Sequence, residues 1–166
     1  MAAIDLIVLG MVKQNPLSAY DIQKLVEYRN ISRWVKISTP SIYKKVIQLS
    51  EKGYLEGKLN GEKTVYSLTD SGEKEFERLM KVISSEPIHF FLDFNSVIVN
   101  LQSLPKQKQE ECLNNIENNI RILKTYITEN INMKKDIEDI PKTGMAVLHQ
   151  QLKLAEVIEE WIATVK

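Results

Sequence analysis

The sequence is poor in the residues from which disulfide frameworks and metal sites are built. It holds one cysteine, Cys112, and two histidines, His89 and His149. A single thiol excludes a disulfide within the chain. We interpret it as a buried thiol in a reducing cytosol, with redox sensing as the alternative. The histidines are far apart and neither has a partner at ligand spacing, which favours structural roles over a metal site.

Catalytic fingerprints are missing as well. The chain contains no GxSxG nucleophile elbow, no P-loop, no HExxH zinc motif and no Rossmann fingerprint. Its paired acids, such as Glu110 and Glu111, are adjacent in sequence and therefore do not share one face of a helix. The sequence predicts a protein that is not an enzyme and that uses no cofactor and no metal.

Long hydrophobic runs are also missing. No stretch reaches the roughly 18 uninterrupted apolar residues of a membrane helix. The apolar run near the N-terminus is short, carries Asp5 and follows no basic segment, so we expect neither a signal peptide nor a membrane anchor. These features predict a soluble, cytoplasmic protein.

The formal net charge is zero, but the charges are unevenly spread. The chain has 22 basic and 22 acidic residues. Residues 13–63 hold ten Lys or Arg against five Asp or Glu, whereas residues 81–166 hold ten against twelve. A basic segment attached to a neutral body fits a protein that binds nucleic acid through one region. The same pattern fits many other proteins, so charge alone decides little.

The N-terminal half alternates helical patterns with one hairpin pattern. The first apolar segment has helical spacing and ends at Asn15-Pro16, because proline disfavours helix in the residue before it. Asn60-Gly61 separates two strand-like runs and is a strong hairpin signal. The further predicted elements are a helix at Ala19–Tyr28 capped by Ser18, a helix at Thr39–Lys52, strands at Tyr54–Leu59 and Lys63–Leu68, and a helix at Asp70–Ser84 capped by Thr69. This order predicts a winged helix.

The helix at Thr39–Lys52 has clear signals at both ends. Ser38 or Thr39 can cap it, Pro40 occupies the first helical position, and Gly53 supplies a left-handed stop. Its apolar stripe consists of Ile42, Val46 and Leu49. The side predicted to lie opposite is polar and cationic: Ser41, Lys44, Lys45, Gln48 and Lys52. By itself such a face is an ordinary solvated surface, but in the third helix of a winged helix it points into the major groove of DNA.

Three segments resemble the PadR family of bacterial and archaeal transcriptional regulators. Residues 15–22 (NPLSAYDI) match a GPLSGYE-type turn, and residues 38–56 (STPSIYKKVIQLSEKGYLE) match an SPGSIYPALKRLEEEGLV-type recognition helix. Residues 66–72 (YSLTDSG) match the YxLTxxG end of the wing. The resemblance covers about Ile4–Leu79. It implies a dimer built through C-terminal helices and repression of a nearby gene.

The chain departs from the family pattern in the recognition helix and in the wing. Thr39-Pro40 stands where the family often has Pro-Gly, and Lys44 where it often has proline. The wing is short, and only Lys58 and Lys63 remain of its basic tip. The resemblance therefore supports DNA contacts of the recognition helix better than contacts of the wing.

The predicted DNA contacts combine the recognition helix with the wing. Lysine and serine suit phosphates, whereas Gln48 has the amide that reads an adenine edge. Thr39 and Ser41, with the free amides of the first helical turn, are candidates for holding a phosphate. The full predicted set is Thr39, Ser41, Tyr43, Lys44, Lys45, Gln48, Lys63 and Tyr66. Arg33 and Lys36 are interpreted as loop cations. Tyr20 is interpreted as a core residue.

The C-terminal half is predicted to be helical between its proline breaks. Ile88–Leu104 is apolar on nearly every side, which is typical of a buried helix. Pro105–Ile140 and Thr143–Lys166 carry apolar residues three and four apart, a spacing typical of helix–helix seams. These stripes exceed what one small bundle needs, so we expect a homodimer that shares them across a twofold axis. The predicted dimerisation residues are Ile116, Ile120, Leu123, Ile127, Leu148, Leu152 and Ile162.

Aromatic residues in this half admit two interpretations. Phe90, Phe94 and Trp161 are candidates for a pocket that binds a small aromatic effector, although core or dimer packing is favoured. The fold class predicted for the chain is mainly α with a small β-hairpin. A winged-helix DNA-binding domain at 1–84 precedes a helical dimerisation domain at 85–166. The predicted function is a homodimeric repressor that binds a pseudo-palindromic operator in double-stranded DNA. The alternative is a winged-helix protein-interaction module without specific DNA binding.

Overall fold

The computed structural model describes residues 2–35 and 39–165, and the chain forms two compact units. The first unit ends at Ile88 and the second begins at His89. The elements are α1 (Ala2–Gln14), β1 (Leu17–Ser18), α2 (Ala19–Tyr28), α3 (Thr39–Glu51), β2 (Leu55–Asn60), β3 (Lys63–Leu68), α4 (Asp70–Ser85), α5 (Asn95–Asn100), α6 (Lys106–Lys134) and α7 (Lys142–Val165), with 3-10 turns at Ile31–Arg33 and Leu101–Ser103. The predicted loop cation Lys36 and the predicted cap Ser38 lie outside the described residues.

The first unit has one apolar core, to which all four of its helices contribute. The predicted stripe of α3 is confirmed, since Ile42 and Val46 are fully buried and Leu49 is nearly so. Helix α1 contributes Val8 and Leu9, which are also fully buried. Burial of one such side chain stabilises the fold by about 1.5–3 kcal/mol. The stripe therefore fixes which side of α3 faces solvent.

The sheet of the first unit is antiparallel and has the strand order β1-β3-β2. The β2–β3 hairpin confirms the predicted wing. The sequence did not indicate β1, whose Leu17 and Ser18 pair with Tyr66 and Val65 of β3. Two residues are too few to show the alternation by which a strand is recognised. Strand β1 ties the turn before α2 to the base of the wing.

The hairpin turn differs by one residue from the predicted one. Asn60 is the last residue of β2 and pairs with Lys63, so the two central residues are Gly61 and Glu62. Gly61 has φ 64°, whereas Asn30 is the only non-glycine residue with positive φ in the described ranges. A glycine with positive φ in the first central position is typical of a type II′ turn. Asn60 therefore belongs to the strand, and Gly61 alone supplies the left-handed conformation of the turn.

Two of the predicted helix caps, Ser18 and Thr69, are present. The Ser18 and Asp21 side chains form a capping box at the start of α2, where the Asp21 N–H donates to the Ser18 hydroxyl at 3.2 Å. The Thr69 hydroxyl accepts from the Gly72 N–H at 3.0 Å and donates to the Gly53 carbonyl at 2.7 Å. Thr69 thus starts α4 and also joins it to the turn that follows α3.

In the second unit, α6 and α7 pack antiparallel. Leu113 near the start of α6 shares a core cluster with Ile162 near the end of α7. Ile127 near the end of α6 shares another cluster with Ala155 of α7. In the part of the chain that the structure describes, no helix combines the length and hydrophobicity needed to cross a membrane.

Two predicted helices of the second half are shorter in the structure. Within Ile88–Leu104 the only α-helix is α5, and residues 87–92 have no regular secondary structure. An apolar run without periodicity does not by itself specify a helix. Helix α6 ends at Lys134 rather than at Ile140. The acidic residues at 136, 138 and 139 oppose a longer helix, because a helix C-terminus carries partial negative charge.

Candidate nucleic-acid interface

The end of α3 is set by Gly53, as predicted. Gly53 has φ 76°, in the left-handed region. Its N–H donates to the Ser50 carbonyl and the Tyr54 N–H donates to the Leu49 carbonyl, both at 2.9 Å. This Schellman motif satisfies carbonyl groups at the helix end. It leads the chain from α3 directly into the wing.

The exposed side of α3 carries two large side chains and two charged ones. Tyr43 is 40% exposed and Ile47 is 51% exposed. Lys44 and Glu51 are exposed as well. On an ideal helix these four residues fall within about 100° of arc. We call them the outer face of α3. Ile47 was not predicted on this side of α3, because only polar and cationic residues were assigned to it.

Three other predicted contact residues of α3 lie beside this face or at the helix start. Ser41 and Gln48 are half-buried along one edge of the outer face. Thr39 is the first residue of α3, and its side chain lies outside the described part of the structure. Thr39, Ser41, Tyr43 and Lys44 lie in the N-terminal half of α3, where recognition helices contact base edges, and Gln48 lies one turn further on.

Lys45 lies apart from the outer face. Its Nζ is 2.7 Å from Oδ1 of Asp5 on α1, and the two side chains are only 12% and 18% exposed. The sequence prediction placed Lys45 beside Lys44, but the structure separates them because α3 is rotated so that Lys45 faces α1. Breaking such a pair by removing one partner leaves an uncompensated, largely buried charge. Lys45 therefore links α3 to α1 through an ion pair.

The wing carries little positive charge, as the sequence indicated. Lys58 is exposed and its Nζ lies 3.2 Å from the Glu56 carboxylate. Leu59 is 83% exposed near the tip. Lys63 is exposed at the start of β3. The outer part of the hairpin thus offers an apolar side chain and one lysine beside a local ion pair.

Tyr66 belongs to the base of the wing rather than to its tip. It is half-buried and packs against the core of the first unit. A Cβ added at Gly57 would lie 3.1 Å from Cε1 of Tyr66, so the ring covers this glycine on the neighbouring strand. Part of the Tyr66 side chain is therefore engaged within the fold.

Tyr20 joins α2 to the wing. It is 47% exposed, so its prediction as a core residue is wrong. The Nζ atoms of Lys24 and Lys63 lie 5.5 and 5.2 Å from the centre of its ring. At such distances an ammonium group is attracted to the ring face. The i, i+4 spacing of Tyr20 and Lys24 was visible in the sequence, whereas the approach of Lys63 depends on the tertiary fold.

The predicted dimerisation residues lie mainly between α6 and α7 of one chain. Ile120, Ile127, Leu148 and Ile162 are buried within the chain. Leu123 is 40% exposed, and Ile116 and Leu152 are half-buried. The stripe predicted to meet a partner is thus largely covered by the chain's own helices. The apolar side chains left most exposed in the second unit are Phe90, Phe91, Val99, Ile122, Met133 and Val157.

Two of the three predicted pocket residues lie together. The rings of Phe94 and Trp161 are 6.0 Å apart and inclined at 34°, whereas Phe90 is 69% exposed. A recess of about 250 Å³ opens beside Phe94. It is lined by Leu92, Phe94, Ile116, Asn119, Ile120, Leu123 and Ile158. Cys112 is half-buried beside the core cluster of Leu113, and among the described residues no three His, Cys, Asp or Glu side chains form a metal-binding group.

The first unit has the architecture of a winged helix-turn-helix, and the second unit is helical. This is the fold of PadR and PadR-like transcriptional regulators. The chain is similar to Bacillus subtilis PadR in complex with operator DNA, with 18% identity and a TM-score of 0.81 over 99% of this chain and 97% of that one. It is similar to the same protein in complex with p-coumaric acid, at 17% identity, a TM-score of 0.81, and 98% and 92% coverage.

The virulence activator AphA of Vibrio cholerae has the same fold. It is 17% identical, with a TM-score of 0.76 over 98% of this chain and 95% of that one. No protein-family profile and no curated protein matches the sequence. The comparisons confirm the predicted fold class, mainly α with a small β-hairpin, to which the structure adds the short strand β1. The structural neighbours are regulators rather than enzymes.

Proposed function

We propose that this protein is a DNA-binding transcriptional regulator in which α3 enters the major groove. The outer face of α3 carries the proposal: Tyr43, Lys44 and Ile47 are exposed on a helix whose opposite stripe is buried. In this fold the exposed side of the third helix is the side that meets base edges. Bacillus subtilis PadR, which shares the fold, has been solved with operator DNA. The proposed role is regulatory rather than catalytic and is exercised in the cytoplasm.

The proposed contacts form two groups. The first group lies on α3: Thr39, Ser41, Tyr43, Lys44 and Gln48. The second lies beside the wing: Tyr20, Lys24, Lys63 and the exposed part of Tyr66. Two ammonium groups on one ring suit the phosphate backbone, whereas Gln48 suits a base edge. Lys45 leaves the set because it is paired with Asp5.

A salt titration of DNA binding tests this assignment. Each cation that neutralises a phosphate contributes about one unit to the slope of log affinity against log salt. We expect Lys44→Ala to weaken binding and to lower this slope by about one. Lys108→Ala, which removes an exposed lysine of the second unit, is the matched control and leaves the slope unchanged. Equal slopes for Lys44→Ala and the wild type would contradict the phosphate contact of the outer face.

We further propose that the chain forms a homodimer through its second unit. Phe91 and Val99 are 85% and 80% exposed, and Phe90 is 69% exposed. Exposed apolar side chains that lie close together in sequence favour a surface that is covered by another protein. A twofold dimer presents two copies of α3, which suits a pseudo-palindromic operator.

A small aromatic effector is proposed for the recess beside Phe94. Bacillus subtilis PadR has been solved with p-coumaric acid, and the recess in this chain is lined mainly by apolar side chains. A thermal-shift screen of planar aromatics and phenolic acids is expected to raise the melting temperature for a subset of compounds. No shift with any of them would contradict effector binding.

Repression is the proposed sign of regulation, following the resemblance of the sequence motifs. AphA, with the same fold, is a virulence activator, so the sign needs its own test. A promoter that contains the selected operator is fused to a reporter and measured with and without the protein. We expect lower expression in its presence, and higher expression would assign activation.

The alternative is a winged helix that binds another protein. The exposure of Ile47 on α3 and of Leu59 on the wing favours it. This hypothesis expects no DNA binding above the nonspecific level, and it expects salt to have little effect on the partner complex. Specific, salt-dependent binding to a selected DNA fragment would exclude it as the main function.

A further inference from the structure

Ile47 is an aliphatic residue of α3 that does not belong to the core. The other aliphatic side chains of this helix, Ile42, Val46 and Leu49, are at most 2% exposed, whereas Ile47 is 51% exposed. On an ideal helix Ile47 is turned at least about 100° from each of them. Its exposure is therefore not a marginal extension of the buried stripe. It is an aliphatic group presented to solvent at the centre of the outer face.

The neighbours of Ile47 favour a nucleic acid over an apolar protein surface. Tyr43 lies one turn before it on the same side, and Lys44 lies three residues before it. Both are exposed, and the ammonium of Lys44 favours an anionic partner. A carboxylate, Glu51, follows one turn later and disfavours phosphates at the C-terminal end. The charge pattern thus directs the first two and a half turns of α3 toward DNA.

We propose that Ile47 contacts the C5 methyl group of a thymine in each half-site of the operator. This inference rests on the proposed function and adds one element of the recognised sequence. The thymine methyl is the apolar group on the floor of the major groove, and aliphatic side chains recognise it by direct contact. Ile47 therefore selects thymine over cytosine and over uracil at one position, while Lys44 and Gln48 act at neighbouring phosphates or base edges.

Replacement of thymine by deoxyuridine tests this contact, because it deletes the methyl group and keeps every hydrogen-bonding group of the base. An operator is first selected from a genomic library with the full-length wild-type chain. Each thymine of a half-site is then replaced in turn by deoxyuridine, and affinity is measured by fluorescence anisotropy. We expect one position per half-site at which the replacement weakens binding about fourfold, the value of one buried carbon.

The variant Ile47→Ala identifies the side chain that makes the contact. It is expected to bind the thymine and deoxyuridine operators equally well, with an unchanged circular dichroism spectrum because Ile47 lies outside the core. Leu59→Ala removes an exposed aliphatic side chain from the wing and serves as the matched control, which retains the fourfold difference.

Three outcomes separate the inference from the proposed function. Specific binding that is insensitive to deoxyuridine at every position overturns the inference alone. A fourfold effect that persists in Ile47→Ala also overturns it, since another residue then contacts the methyl group. Absence of DNA binding by the wild type overturns the proposed function and this inference with it.

Discussion

The two units of this chain bury their apolar residues to different extents. The first unit has one core cluster of thirteen buried residues, drawn from α1–α4, β2 and the 3-10 turn at Ile31–Arg33. The second has two clusters with three buried residues each, both between α6 and α7 or at their ends. It also exposes Phe90, Phe91 and Val99. The first unit thus gathers its buried residues in one core, whereas the second keeps two small clusters and exposes this apolar segment.

The two predicted roles make different demands on the two units. A DNA-binding surface needs a rigid helix, and the first unit holds α3 by its buried stripe, by the Asp5–Lys45 pair and by the Gly53 turn. A self-associating surface needs exposed apolar area, and this exposure destabilises an isolated monomer. Assembly covers the area, so a higher protein concentration stabilises the folded chain by mass action. The stability of the second unit should therefore depend on protein concentration, whereas the stability of the first unit should not.

The largest expected effect comes from charging the exposed surface of the second unit. Phe91→Asp combined with Val99→Asp is expected to weaken dimerisation by about 100-fold or more, since central apolar residues of an interface each contribute on the order of 2 kcal/mol. Sedimentation equilibrium measures the effect. Leu59→Asp is the control, because Leu59 is equally exposed but lies on the wing. A dimer constant that is unchanged in the double variant would show that this surface is not the interface.

Two glycine-to-alanine substitutions, one in each unit, test the internal packing of the first unit. A Cβ at Gly72 would lie 2.1 Å from the Tyr54 carbonyl oxygen, whereas a Cβ at Gly144 in α7 meets nothing within 4 Å. Gly72→Ala is expected to lower the free energy of unfolding by about 3 kcal/mol, at the upper end of overpacking costs. Gly144→Ala is expected to raise it by about 0.5–1 kcal/mol, because alanine favours helix. Urea denaturation at two protein concentrations measures both.

The sign and the concentration dependence together decide this test. We expect the loss in Gly72→Ala to be the same at both concentrations, because the clash lies within one chain. A loss that shrinks at high concentration would mean that assembly also stabilises the first unit. Equal effects of the two substitutions would mean that the close approach of Gly72 to Tyr54 does not occur.

The features that the sequence predicted are those with local causes. The caps Ser18 and Thr69, the left-handed Gly53 and the stripe of α3 depend on residues a few positions apart, and the structure confirms all of them. The motif glycine Gly72 also has a local position but a tertiary cause, since it lies against Tyr54. The family motif at residues 66–72 includes Gly72, and the structure shows why a glycine is needed there.

The features that the sequence missed depend on distant partners. Lys45 pairs with Asp5 of α1, and the cationic cluster at Tyr20 needs Lys63 from the wing. Helix geometry already gave the positions of two residues on α3, since Lys45 lies about 40° from Leu49 and Ile47 lies at least about 100° from each stripe residue. The sequence prediction grouped residues by polarity instead, which placed Lys45 in the predicted contact face and left Ile47 out.

The smallest expected effect is the acid sensitivity of the α2 cap. The Ser18 hydroxyl donates to the Asp21 carboxylate at 2.6 Å and lowers the pKa of Asp21 below its ordinary value of 3.8, and the charge of Lys63 adds to the shift while desolvation opposes it. A carboxyl group with a lowered folded pKa contributes stability that is fully present above 3.8. That contribution is lost as the pH falls through the lower folded value.

Asp21→Asn is therefore expected to cost about 0.5 kcal/mol at pH 7, the lower limit for a helix cap at a partly exposed site. The cost should fade as the pH falls below 3.8, because the wild type then loses the same charge. Glu62→Gln at the exposed wing tip is the control, with no comparable loss at pH 7. Because the cap lies inside the first unit, the cost must be the same in the dimer and in the monomer produced by the Phe91 and Val99 double variant. A cost that appears only in the dimer would contradict the self-contained character of the first unit.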